Sequence, residues 1–283
     1  MRAIKTLFLL TALTLLLVLG GDAIAGQQGM TFGLIIAVVM NGVAYFFSDK
    51  IALRSSGAQP VTREQLPRLY EVMERLVAKA RLPMPKLYMI PQPAPNAFAT
   101  GRNPSHASVA VTAGLMELMN DDELEGVIAH ELSHVRNYDI LITSIAATLA
   151  GAITWIAHMG QWAMIFGGYG NSRDRRGGGL GALLMIFVAP LAALLIQLGL
   201  SRQREFAADA SGARMVGHPY GLVSALEKLG AYNKRIPMNV PPTTASLFIV
   251  APLTAGQIFS GLFSTHPPLS ERIAVLRNMT VTR

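Results

Sequence analysis

The chain contains no cysteine. Disulfides and thiolate metal sites are therefore excluded, and any metal must be held by histidine, carboxylate or other oxygen ligands. Charge is scarce as well. Only 14% of the 283 residues are Asp, Glu, Lys or Arg, against about a quarter in a typical soluble domain. No basic run interleaves with aromatic residues, so the net charge of +7 points away from nucleic acid. It suits the cytoplasmic surfaces of a membrane protein, where Lys and Arg accumulate. Neither an internal repeat nor a long low-complexity segment is present. What the chain has instead is apolar mass: 51% hydrophobic residues and a mean hydropathy of +0.39. Its length accommodates one medium domain plus several membrane spans.

Four apolar stretches stand out: Thr6 to about Gly20, about Phe32 to Phe47, Ile140 to about Gly168, and about Gly177 to Leu200. A span needs about 20 predominantly apolar residues. The last two stretches meet this; the first two are shorter but uninterrupted. Arg2 and Lys5 before the first run, with AIAG (Ala23 to Gly26) after it, also allow a signal-peptide reading. An anchored hairpin is favoured because the second stretch follows at once. Lys50, Arg54 and Arg63 place the segment after the hairpin in the cytoplasm, and Asp22 without Lys or Arg places its tip outside. Arg173, Arg175 and Arg176, between the third and fourth stretches, run against the positive-inside rule. Length still favours a full crossing there.

Two polar pieces remain, Ser48 to Asp139 and Ser201 to Arg283. Apolar residues at helical spacing from Val61 to Leu82 predict an amphipathic helix. KLYMI, NAFAT and ASVAV, bounded by Pro, Gly and Ser, predict short strands. Met116 to Met119 predict a helical turn, and the runs from Ser211 and from Tyr220 predict helices. The Pro-rich segment Ile236 to Phe248 reads as a mobile loop. The whole is α+β and mainly helical, with four hydrophobic segments and a small β-sheet.

HELSH carries the chemistry. His130 and His134 stand at i and i+4, on one face of a helix. Two imidazoles so placed can share a tetrahedral zinc, and Glu131 can act as general base on a water in the open position. Asn120 and Glu123 form a capping box that would start this helix, and Leu124, Val127, Ile128 and Val135 can pack it. A catalytic zinc takes three protein ligands. His106 in a polar turn, His158 in an apolar stretch and His218 before Pro219 are weak choices for the third. The alternative is a carboxylate. In SRQREFAADA, Glu205 can bind the metal while Asp209, one turn on, accepts a hydrogen bond from a ligating imidazole.

HELSH, a hydrophobic hairpin and then SRQREFAADA together resemble the HtpX family of membrane-bound zinc metalloproteases, relatives of the CAAX prenyl protease. The two N-terminal apolar stretches, PNAFATG (Pro95 to Gly101) and STHPPLSERI (Ser264 to Ile273) extend the resemblance over nearly the whole chain, in the family's order. It implies a gluzincin-type zinc protease domain built from residues 48–139 and 201–283. Residues 1–47 and 140–200 would be transmembrane hairpins. It implies one zinc held by His130, His134 and Glu205, with Glu131 as base and Asp209 orienting His130. It further implies that Asn96 holds substrate backbone and that His266 and Arg272 stabilise the oxyanion or close the cleft. On the residues alone, Asn96 also fits a turn after Pro95, and His266 a loop before a helix begun by Pro267 and Pro268. The implied setting is the bacterial inner membrane, with a cytoplasmic active site, protein substrates and a part in membrane-protein quality control under stress.

Two other readings compete. A transporter would place ionisable residues inside its spans, and these spans hold none of Asp, Glu, Lys or Arg. A scaffold with a structural zinc has no need of Glu131.

Overall fold

The computed structural model describes residues 2–166, 202–233, 235–236, 238, 240–250 and 267–281. The fourth apolar stretch, the Arg173–Arg176 loop and His266 lie outside them.

The chain opens with helix α1, Arg2–Ser55, which folds back on itself. Asn41 Nδ2 donates to Leu10 O at 3.2 Å and to Thr14 Oγ1 at 2.9 Å. In one straight helix those residues would stand about 40–46 Å apart, at 1.5 Å per residue. The reversal is at Gly26, whose φ of 58° is open to a residue without Cβ. In a lipid-like setting the Asn41 bonds tie one arm to the other where no hydrophobic force can. One helix among the described residues is long and apolar enough to cross a membrane, Gly26–Ser55. Phe32, Ile35, Val38 and Phe46 are exposed along it. Thr6–Leu19 is apolar but shorter. So of the four expected hydrophobic segments, one has spanning length among the described residues.

Behind α1 come the sheet and its helices. Strands β1 (Gln59–Pro60), β2 (Lys86–Ile90), β3 (Ala97–Gly101) and β4 (Ala107–Thr112) lie in the order β1-β2-β4-β3. The β2–β4 pair is parallel; the other two are antiparallel. The three expected strands are β2, β3 and β4, so β3 is an edge. Helix α2 (Pro67–Ala80) starts later than its pattern, because Pro67 fits the first helical turn. It buries Leu69, Val72, Met73, Leu76 and Val77. Thr112 caps the short α3 (Ala113–Leu118).

Helix α4 (Asp121–Arg136) is the centre of the domain. Its expected capping box is present: Asn120 Oδ1 accepts from Glu123 N, and Glu123 Oε2 from Asn120 N, each at 2.9 Å. Glu123 also accepts from Ser224 Oγ at 2.6 Å and pairs with Lys228 at 2.7 Å. Leu124, Val127, Ile128, Leu132 and Val135 are buried. Each such burial contributes about 1.5–3 kcal/mol. The remaining elements are α5 (Asp139–Phe166), α6 (Arg202–Val216), α7 (Tyr220–Asn233), the single turn α8 (Pro242–Ala245) and α9 (Leu269–Arg277). The first half of α5 packs on α1 through Leu9, Leu13, Ala44, Ile145 and Leu149. The expected loop to Phe248 is corrected at its end. Phe248 is fully buried, edge-to-face on Phe98 with ring centroids 4.9 Å apart. An aromatic body of that size outweighs the turn-forming prolines before it.

Candidate metal centre

The helical spacing of α4 brings His130 and His134 to one face, with their Nε2 atoms 3.2 Å apart. Helix α6 lies against that face. It approaches closely because position 212 is glycine: a Cβ there would stand 3.0 Å from His130 N. Glu205 and Asp209 therefore reach the histidines. Glu205 Oε1 is 3.5 Å from His134 Nε2, and Oε2 is 3.8 Å from His130 Nε2. Ligand atoms of His130, His134 and Glu205 all lie within 4.8 Å of one another.

Each imidazole is backed by a carboxylate. Asp209 Oδ1 is 2.8 Å from His130 Nδ1, which makes that nitrogen a donor. Arg272 Nη2, 3.4 Å from the same nitrogen, then donates to Asp209 instead. Asp139 Oδ2 is 3.4 Å from His134 Nδ1. Asp139 carried no role in the sequence. Five residues beyond His134, a continuous helix would carry it about 140° around the axis. Instead α4 ends at Arg136, and Tyr138 takes a left-handed φ of 57°. A non-glycine residue there costs about 1–2 kcal/mol. The turn delivers Asp139, first residue of α5, back to His134. The signal that could have found it is a lone carboxylate at the mouth of an otherwise uncharged apolar helix, just after HELSH.

The electrostatics follow from burial. Burial pushes the Glu131 carboxyl up to about 8, opposed by His134 and helped by Glu205. Burial also works against charge on His134, but the Asp139, Glu205 and Glu131 carboxylates outweigh it and hold His134 at about 9. His130 goes the other way, to about 4, because burial there exceeds the pull of Asp209. Burial alone would raise Asp209, yet Arg272 and His130 bring it down to about 2.

A cation fits these residues. Two nitrogen ligands of a tetrahedral zinc, each about 2.0–2.1 Å from it, stand about 3.3–3.4 Å apart. With both Nδ1 atoms turned to carboxylates, two Nε2 lone pairs would face each other at 3.2 Å. That arrangement needs a proton or a metal between them. The other histidines with described side chains are elsewhere. His106 is exposed and bonded to Asn103, and His218 stacks on Tyr220.

Asn96 and Arg272 are both buried, and both hold the chain's own segment Leu247–Val250. Asn96 Nδ2 donates to Val250 O at 2.8 Å, and Asn96 Oδ1 accepts from Ala97 N at 3.1 Å. Ile249 N donates to Ala97 O at 3.0 Å. Ala99 N–H donates to the Glu131 carboxylate. The outer edge of β3 is thus engaged from Ala97 to Ala99. Arg272 is fully buried. It grips Asp209 with two bonds of 2.7 and 2.8 Å and donates to Ile249 O at 2.9 Å. The cavity beside the histidines is walled by Ala99, Ile140, Thr143, Leu247 and Ile249.

The chain is similar to known proteins over most of its length. The profile of peptidase family M48 matches residues 63–280. A "Protease HtpX homolog" of Desulfatibacillum aliphaticivorans is 56% identical over 274 residues, covering 96% of this chain and 88% of its own. One from Syntrophotalea carbinolica is 52% identical over 282 residues, covering 99% and 100%. One from Aquifex aeolicus is 48% identical over 263 residues, covering 92% and 86%. Among solved structures, the crystal structure of S. mikatae Ste24p is similar in fold, with a TM-score of 0.53 at 21% identity. That match covers 97% of this chain and 65% of the Ste24p chain.

Proposed function

The chain belongs to peptidase family M48 and is a metalloprotease, and from that premise we propose a membrane-anchored, zinc-dependent endopeptidase in which His130, His134 and Glu205 hold the metal. The observation that carries this reading is the pair of Nε2 atoms 3.2 Å apart, both facing Glu205. A set of two imidazoles and one carboxylate with an open position is a donor set of hydrolytic zinc. The metal, when bound, polarises the scissile carbonyl and acidifies a water.

The rest of the work falls to the chain. Glu131 takes the water proton and returns it to the leaving amine. Its buried position, 2% exposed, suits a base that must accept a proton readily, and a nearby dication would favour its ionised form. Asp209 holds the His130 tautomer by accepting from Nδ1. Arg272 keeps Asp209 in place and closes the cleft through Ile249. Asn96 would hold substrate backbone beside β3, and His266 would act with Arg272 in stabilising the oxyanion or closing the cleft.

In this reading substrate enters between the walls of the cavity as an extended segment rather than a compact domain. Two of those walls, Ile140 and Thr143, belong to the first turn of α5. We therefore assign misfolded or damaged membrane proteins as substrates, cut at the cytoplasmic face of a bacterial inner membrane. In this reading residues 1–47 and 140–200 are the membrane hairpins, and 48–139 with 201–283 form the protease domain.

The test is Glu131→Gln in the full chain, purified in detergent and loaded with zinc. Casein cleavage should fall by about 10²-fold or more while one zinc per chain remains. Cleavage at the parent rate by the zinc-loaded variant, or by chelator-treated wild type, sinks the proposal.

A further inference from the structure

We propose that Asp139 is a positioning residue for His134, and that through it the first turn of the apolar helix α5 becomes part of the metal centre. The inference rests on the reading of His134 as a ligand and goes beyond it, by making metal affinity depend on how α5 is docked.

The geometry points to this role. Asp139 is 3% exposed, and its Oδ2 faces His134 Nδ1 at 3.4 Å. Its other oxygen is 3.7 Å from Arg204 Nη1 and has no hydrogen-bond partner among the described residues. A carboxylate buried at the head of a hydrophobic helix, with one oxygen unsatisfied, is costly unless it serves a specific partner. The partner is the imidazole. A carboxylate at Nδ1 fixes that nitrogen as the donor and leaves Nε2 as a lone pair aimed at Glu205. Asp209 does the same for His130 from α6, so the two imidazoles are oriented by carboxylates on two different helices.

The chain is built to keep Asp139 there. Tyr138 adopts the left-handed conformation that reverses the backbone between α4 and α5. Ser144 Oγ, on the next turn of α5, is 2.7 Å from Thr100 Oγ1 of β3, with both side chains buried. Ile140 and Thr143 between them wall the cavity. The start of α5 is thus tied to the histidine through Asp139 and to the edge strand through Ser144, and it lines the cavity between them.

The competing reading is structural: Asp139 could serve only as an acidic residue at the start of α5, paired with Arg204. Such a role would change the melting temperature but not the affinity for zinc. The experiment measures zinc dissociation constants by competition with a chromophoric chelator, on the full chain in detergent, at one pH. Wild type, Asp139→Asn, Asp139→Glu and Arg204→Gln are compared, with the melting temperature of each metal-free protein. Asp139→Asn should bind zinc about 10–100-fold more weakly. Asp139→Glu should recover part of that loss, and Arg204→Gln should stay within about threefold of wild type. If Asp139→Asn binds zinc as tightly as wild type, or Arg204→Gln loses as much as Asp139→Asn, the proposal is overturned. Should Asp139→Asn not fold, Asp139→Ala asks the same question with the same two outcomes. A wild-type chain that binds no zinc defeats the metal-centre reading itself, and this inference with it.

Discussion

His130 and Asp209 lock together at 2.8 Å between Nδ1 and Oδ1, one on α4 and the other on α6. Behind Asp209, Arg272 of α9 closes the contact with two bonds of 2.7 and 2.8 Å. Three helices distant in sequence therefore meet at one buried charge cluster, whose outer face is an imidazole aimed at the site.

That cluster should be sensitive to removal of either partner. Asp209→Ala leaves the buried Arg272 guanidinium with only the more distant Glu205 carboxylate, 3.8 Å away, and breaking such a buried pair costs about 3–5 kcal/mol. Arg272→Ala should cost a comparable amount, and the double variant less than the sum. Denaturant unfolding of the metal-free protein in detergent measures all three. Additive losses would show that the two residues act independently, contrary to the geometry. Acid reports on the same pair. Asp209 falls from an ordinary 3.8 to about 2 in the fold. Its contribution is therefore complete above 3.8 and is lost as the pH drops through 2.

Alkaline pH should weaken the metal-free protein. His134 rises from 6.5 to about 9 and Glu131 from 4.5 to about 8. For a group raised by folding, the contribution is present below its unfolded value and is lost as pH rises through its folded one. Both groups therefore act in the same direction between pH 6.5 and 8. The melting temperature of chelator-treated protein should fall across that window. Zinc affinity should rise over the same interval, because the proton on His134 no longer competes with the metal. A flat melting profile for the metal-free protein would contradict both assignments.

Asn96→Ala should loosen the segment that lies on β3. Its side chain holds Val250 O at 2.8 Å, and the neighbouring strand bond is Ile249 N to Ala97 O. Losing one such buried contact costs about 1–3 kcal/mol. Hydrogen exchange at the Ile249 and Val250 amides should accelerate by about tenfold or more, with exchange in β2 and β4 unchanged. Unaltered exchange at Ile249 would mean that Asn96 does not anchor the segment.

Much of the site was legible in linear order. HELSH needs only the helical repeat to bring two imidazoles to one face, and the Asn120–Glu123 box starts that helix without help from the rest of the fold. Glu205 and Asp209 could be paired because one helical turn separates them. Asp139 was legible only as a lone carboxylate at the head of an apolar helix. Its meeting with His134 depends on Tyr138 leaving the helical region, and nothing in a tyrosine signals a left-handed backbone. The burial of Phe248 was missed for a related reason. Prolines at 241 and 242 mark a turn but say nothing about a pocket against Phe98.

The sequence by itself determined the donor types, the helices that carry them and the apolar segments beside them. Those features depend on residue chemistry and on a repeat of 3.6 residues, both local. Tertiary structure alone decided which oxygen faces which nitrogen. It also set how closely α6 approaches α4 at Gly212, and it placed Leu247–Val250 on the edge of β3. These depend on packing between elements far apart in the chain, where displacements of less than an ångström separate a contact from a clash.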